Sequence, residues 1–382
     1  MRRTCLLTLV IIFTAAFIFA ESSESSESSE LSESLEPSES IELAESSESR
    51  ESEELTEIWE PLNSFEPSKF WEAWEKTKSS EALELPGAKK ENQNFSIGVT
   101  FGVLSGVAEE IVYFDSNSDL KLSQLNWQFK PLLYMGLDFR FKSKMASNTG
   151  FFYNLVTKVG IPGKTGSMED LDWAINLSAD PIIPTYPHWL NYYSVHDNVT
   201  RFAVLLDFDA GVSFKLVNKF LLNAFFSYHF MFYYWEAFGG SYLYPGGVHS
   251  FWPSSEKIIT YQQTWHILST GVSFYGEFNR YFNAEIFFKV SPLIWLFSED
   301  DHLKRTDVGV FYDSPKYGIF LEPGLIVNFR AGTRVALSLS YSYRFIRGSR
   351  GDEVNDSVLY RNTAGAAYSS HDVGVSARVY LF

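Results

Sequence analysis

From about Asn94 onward the chain repeats one pattern, an apolar side chain followed by a small or polar one. Val335, Leu337, Leu339, Tyr341, Tyr343 and Phe345 alternate with Ala336, Ser338, Ser340, Ser342 and Arg344. Period-2 spacing puts all the apolar side chains on one face of a strand and the rest on the other. The pattern recurs from Leu206 to Leu216, around Asp207, Asp209, Gly211, Ser213 and Lys215, and from Met135 to Lys142. Two architectures carry such strands: a soluble sandwich with one wet face, and a membrane barrel with lipid outside and a polar lumen. The runs reach ~10 residues or more, enough to cross a bilayer at a tilt, whereas soluble strands average ~5 to 6. Aromatics crowd the run ends at Phe151 to Tyr153 and Phe230 to Trp235, as interfacial girdles would. The polar face carries Arg140, Lys215 and Arg344, charges that a wet or hydrogen-bonded lumen tolerates. The expected fold is therefore all-β, a transmembrane antiparallel β-barrel of about ten strands, an even number as single-chain barrels use.

The N-terminal part reads differently. Arg2 and Arg3 precede an apolar run from Cys5 to Phe19, the layout of a secretory signal peptide over residues 1–20. Residues 21–60 hold fifteen glutamates against one arginine, amid serine. So charged a segment, with so few apolar residues, cannot offset the entropy of ordering, and disorder is expected. Most of the net charge of −16 resides there, which leaves the barrel region, residues 94–382, close to neutral. No basic patch of the kind that binds nucleic acid is present. Residues 61–93, with Trp71 and Trp74, read as a linker or short helix. Cys5 is the only cysteine and falls in the signal, so a thiolate nucleophile, a disulfide and a thiolate metal site are excluded from the mature chain.

Two clusters on the barrel carry ionisable groups at i and i+2, side by side on one strand face. One is Asp170 and Asp172 in GSMEDLDW, where Glu169 points the opposite way. The other is Asp300 and His302 in SEDDHLKR. An imidazole can take a proton from water while a carboxylate fixes its tautomer, and a second carboxylate pair can hold the water's other side. Taken singly, an Asp-x-Asp near a loop is most often a solvated turn or a loose cation site, and an Asp-x-His pair is usually surface decoration. The sequence holds no nucleophile elbow, phosphate loop, dinucleotide fingerprint or histidine metal motif.

The segment Met168 to Trp173 resembles the Met-x-Asp-x-Asp-Trp motif of the omptins, outer-membrane aspartyl-type endopeptidases of Gram-negative bacteria. The resemblance continues, in the family's order, through LSG at 104–106, EIVY at 110–113, LSQLNWQF at 122–129, GGSYLY at 239–244, Asp300-x-His302, YRFIRG at 343–348 and VYLF at 379–382. It implies a narrow ten-stranded barrel rising above the membrane, with a groove facing outside. By that match Asp170 faces the reacting water, Asp172 is its partner, and Asp300 with His302 forms the dyad that activates it. Glu110 matches an acid lining the specificity pocket, which favours Arg or Lys in the substrate. A second pocket acid of the family falls at Ser298, so the preference for basic residues is expected to be weaker or shifted. Two basic positions that help bind lipopolysaccharide phosphate fall at Phe232 and Thr264, so the lipopolysaccharide dependence implied by the family is in question here.

The expectation is thus a monomeric outer-membrane endopeptidase acting on peptides or proteins, with no metal or other cofactor and with outer-membrane lipid as its remaining partner. The alternative is a non-proteolytic adhesin or host-protein-binding barrel. A passive pore fits less well, because side chains fill the lumen of so few strands.

Overall fold

The computed structural model describes residues 95–381 apart from 144, 146–147, 174, 177–182, 185–189, 245–247, 305–308 and 333. The segments 1–20, 21–60 and 61–93, with Asn94 and the terminal Phe382, lie outside the described residues.

Among the described residues every regular element is a strand. They are β1 (Phe95–Tyr113), β2 (Lys121–Lys142), β3 (Thr149–Gly160), β4 (Gly163–Trp173), β5 (Ile175–Asn176), β6 (Ile183–Pro184), β7 (Leu190–Val217), β8 (Phe220–Tyr244), β9 (Val248–Glu277), β10 (Phe282–His302), β11 (Val310–Lys316), β12 (Ile319–Ala331), β13 (Val335–Asn355) and β14 (Val358–Tyr380). The short β5 and β6 pair only with each other. The other twelve form one antiparallel sheet, in which β1 pairs with both β2 and β14, so the sheet closes on itself.

Twelve strands make ten staves. β3 and β4 occupy one position, both lying between β2 and β7. The chain breaks there at Ile161 and Pro162, and proline has no N–H to give the ladder. β11 and β12 share the position between β10 and β13. Their break falls at Tyr317 and Gly318, both at positive φ (63° and 115°).

The alternation is inside-out. On β13, Val335, Leu337, Leu339 and Tyr341 are exposed on the outside, while Ala336, Ser338 and Arg344 are buried within. Val99, Phe101 and Val103 on β1, Leu133 and Met135 on β2, and Val373, Val375 and Val379 on β14 continue the apolar belt. Towards the far end of the strands the outer face turns polar: Gln124 donates to Glu109 and Asn126, and Asn126 donates to Glu169. The barrel has left the belt there. At the opposite end, which holds both the start of β1 and the end of β14, β7 turns into β8 over Asn218 and Lys219 alone.

The belt's lumen is filled by paired charges. Arg344 donates to Glu322 at 2.9 Å and to both oxygens of Asp207 at 3.1 Å. Asp207 also meets His229 at 2.6 Å, and Lys289 meets Asp209 at 2.8 Å. Asp138 is held by Arg140 and Arg378, and Asp372 by Lys158 and the Tyr134 hydroxyl.

Above this network lies an aromatic layer. Trp127 stacks on Tyr261 (5.3 Å) and Trp235 (5.9 Å), Trp235 on Tyr233 (4.9 Å), and Phe129 on Tyr233 and Tyr368 (5.7 Å each). All six rings are buried. The aromatic run Phe230 to Trp235 is therefore only half a girdle: Tyr233 and Trp235 turn inward into this layer, and the intervening Phe232 and Tyr234 face out.

Replacing Arg344 by Met would leave Asp207 and Glu322 buried without their cation, a loss of about 3–5 kcal/mol for a broken buried network. The Arg344→Met barrel is expected to unfold at a lower denaturant midpoint in detergent micelles than the wild type; an unchanged midpoint would contradict the network's role.

Candidate active site

Beyond the aromatic layer, the outer ends of β1, β4, β7, β10, β11 and β13 each turn polar side chains inward. On β4 the inward positions are Met168, Asp170 and Asp172. Met168 is fully buried against the layer and Asp170 is 2% exposed, while Asp172 is half-buried nearer the mouth. Glu169 faces out to Asn126, as its position between the two requires. On β10 the inward row is Ser298, Asp300 and His302. Asp300 is also 2% exposed, and its Oδ2 lies 2.6 Å from His302 Nε2.

Register ties these strands together. Glu110 on β1 pairs with Leu125 on β2, which pairs with Asp170 on β4, which pairs with Ser194 on β7. Inward side chains from this row face those from β10 and β11 across the groove. Ser298 pairs with Asp313 on β11, which pairs with Glu353 on β13. The Ser298 hydroxyl donates to Asp313 Oδ2 at 3.3 Å.

Glu110, Asp313 and Glu353 are buried acids that no cation of the described residues pairs with. Burial, then the charges of Asp300 and Asp313, hold the Glu110 carboxyl well above the ordinary glutamate range, and a hydrogen bond with Asp313 adds to this. Burial, then Glu353, pushes Asp313 up to about 8 even though that hydrogen bond opposes the shift. Burial, then Asp300, pushes Glu353 up to about 7. The two carboxyls share a hydrogen bond, so one proton is held between them.

Asp170, Asp172, Asp300, His302, Glu110 and Ser298 all stand at inward positions at this outer end of the barrel. The sequence reading passed over four neighbours. Asp313 and Glu353 stand in segments that read as ordinary polar strand ends. Ser194 and His196 repeat the i, i+2 spacing that singled out the aspartates, and that signal could have found them. Ser194 Oγ lies 2.8 Å from His196 Nε2, and His196 Nδ1 meets the Gly239 carbonyl. A carbonyl only accepts, so Nδ1 carries the proton and Nε2 accepts from Ser194. Burial lowers the His196 pKa against the opposing hydrogen bond to Gly239, and His302 lowers it further, which favours the neutral ring. The carbonyl reaches His196 because Gly239 and Gly240 take positive φ (52° and 98°). A Cβ at Gly240 would sit 1.9 Å from the Val195 oxygen.

On the outer face of the barrel, Phe232 and Thr264 pair across β8 and β9. The cations on this flank sit further up, where Arg201 and Lys257 bind Glu236 at 2.5 and 2.6 Å.

Residues 91–381 match the model of the Omptin family. The chain is 26% identical over 294 residues to the outer membrane protease IcsP of Shigella flexneri, covering 72% of this chain and 86% of that protein. It is 24% identical over 272 residues to the plasminogen activator of Yersinia pestis, covering 69% and 80%. The crystal structure of outer membrane protease OmpT from Escherichia coli superposes with a TM-score of 0.65 at 18% identity, over 75% of this chain and 97% of that one.

The acid cluster has a consequence for stability. Below ~4 these groups are protonated both folded and unfolded, and between there and about 8 only the unfolded chain is free to ionise them. Native stability should therefore fall as pH rises from about 5 to 8. Denaturant midpoints measured across that range should decline for the wild type and decline less for Glu353→Gln; parallel curves would refute the linkage.

Proposed function

The chain belongs to the Omptin family, and from that premise we propose that it is an outer-membrane endopeptidase whose groove hydrolyses peptide bonds with water activated by His302 and Asp300. Asp170 and Asp172 hold that water from the opposite wall. The observation supporting this reading is the 2.6 Å contact of Asp300 with His302 in a groove that also receives Asp170 and Asp172.

A carboxylate only accepts hydrogen bonds, so His302 Nε2 carries a proton towards Asp300 and Nδ1 is the basic nitrogen. Nδ1 takes a proton from the water as its oxygen bonds to the peptide carbonyl carbon. Asp300 stabilises the imidazolium that forms. The imidazolium then gives the proton to the leaving amide nitrogen, the C–N bond breaks, and an acid and an amine are released. Asp170 accepts the water's second hydrogen and aligns its lone pair. Asp172, nearer the mouth, keeps this wall negative and orients Asp170. The aromatic layer beneath closes the groove towards the lumen, so the water is drawn from the outer side. We further propose that the protein works as a monomer, and that Phe232 and Thr264 make its lipid contact at that point uncharged, weakening any requirement for lipopolysaccharide phosphate.

Purified barrel in lipid, given peptides with Arg or Lys at the scissile bond, should cleave them, whereas His302→Ala and Asp170→Ala should each lose about 10²–10⁴-fold in kcat/KM. Equal cleavage by all three proteins would sink the mechanism. Ligand binding that survives in His302→Ala, with no cleavage by the wild type, would point instead to an adhesin.

A further inference from the structure

We propose that Asp313, backed by Glu353, is a specificity-determining acid of this groove, holding the cationic end of a substrate Lys or Arg side chain between itself and Glu110. The inference deepens the proteolytic reading and rests on it for the identity of the ligand as a peptide. It also revises the expectation drawn from Ser298: the charge absent there is present one strand over.

The placement is set by the ladder. Ser298, Asp313 and Glu353 form one inward row across β10, β11 and β13. Directly paired side chains on neighbouring strands stand ~5 Å apart at Cβ, less than the length of a lysine or arginine arm. An acid at 313 therefore serves the pocket that an acid at 298 would serve. The Ser298 hydroxyl, donating to Asp313 Oδ2, orients the carboxylate and leaves Oδ1 for a ligand.

Beyond the bond shared by Glu110 and Asp313, the three acids have acceptor oxygens to spare. Glu110, Asp313 and Glu353 are 4%, 4% and 5% exposed, and Glu110 Oε2, Asp313 Oδ1 and Glu353 Oε2 have no hydrogen-bond partner among the described residues. Among the described residues the charged groups bearing most strongly on Asp313 are acidic: Glu110 from β1, Asp300 from β10 and Glu353 from β13; Tyr261 from β9 also faces it. In the belt's lumen, by contrast, Asp207, Asp209 and Glu322 each have Arg, Lys or His beside them. Buried polar groups are as a rule satisfied, and among the described residues no partner completes this set, so the pocket is suited to a cation brought by a ligand. Among the described residues no three such side chains are spaced to hold a metal ion. A guanidinium or ammonium on a flexible arm needs no such convergence. Guanidinium's fork of donors can bridge Glu110 and Asp313 together.

Such a pocket couples recognition to protons. Empty, the acids retain protons, since Asp313 is pushed up to about 8 and Glu353 to about 7. An entering cation favours their ionised forms and expels those protons, so preference for a basic side chain strengthens as pH rises through that range.

Binding measured on the full-length His302→Ala protein in lipid separates this inference from the chemistry. A fluorescent peptide bearing arginine should bind at least ~10-fold tighter than the same peptide bearing citrulline, its neutral isostere, at pH 9, and the ratio should shrink at pH 6. Adding Asp313→Asn should collapse the ratio towards one. Ser298→Asp combined with Asp313→Ser should restore it, which guards against a merely misfolded variant. A ratio near one in His302→Ala, or a ratio untouched by Asp313→Asn, would overturn the proposal. Failure of the wild type to cleave any peptide, with the ratio and its loss both observed, would instead overturn the proteolytic reading and leave the pocket assignment standing.

Discussion

A chain in hydrocarbon can leave no backbone N–H or C=O without a partner, and here the pairing of β1 with β14 meets that requirement. Closure removes the sheet's edges, and everything else about the molecule follows from having to fill the tube so made. Lipid takes the apolar face of each strand, so the lumen receives the other face, which is polar. Polar side chains in a narrow tube must find one another. In the belt they do, as in the Arg344 contacts with Asp207 and Glu322. Such networks contribute little to stability against a hydrophobic alternative, but removal of one member is costly.

The two acidic regions of the interior obey opposite rules. Asp207, Asp209 and Glu322 sit against arginine, lysine and histidine. Glu110, Asp313 and Glu353 sit against one another. This set lies at the level that also holds Asp300 with His302. Strain of this kind, an unmet acceptor or a displaced pKa, concentrates at sites where a ligand completes the set.

The fold was legible because its rule is written on every strand. Alternation at Val335 to Phe345 marks the lipid face without any knowledge of neighbours, and the i, i+2 spacing places Asp170 with Asp172, and Asp300 with His302, on common faces while turning Glu169 away. Properties that belong to register were not legible. Asp313 and Glu353 meet Ser298 only through pairings between strands, and nothing local to either residue announces it. The split of the Phe230 to Trp235 run was also hidden: alternation predicts that half its rings turn inward, but not that they meet Trp127, Phe129, Tyr261 and Tyr368 in a layer. That layer, together with the girdle, takes up part of an aromatic content of 17%.

The layer is also what allows the two electrostatic regions to coexist in one tube. Arg344, in the network below, packs its Nη1 at 3.1 Å from Met231 Sδ, two residues before Tyr233 on β8. The charges bearing most on Glu110 and Asp313, beyond the stacked rings, are those of other acids. Without the rings, flexible arginine and lysine side chains of the lumen could rise to satisfy the upper acids, and water could connect the two ends. Six flat, buried side chains stacked across the barrel exclude both, at low entropic cost because aromatic rings have few rotamers to lose. A groove that must keep acids ready for an incoming cation therefore needs a dry partition beneath it as much as it needs the acids.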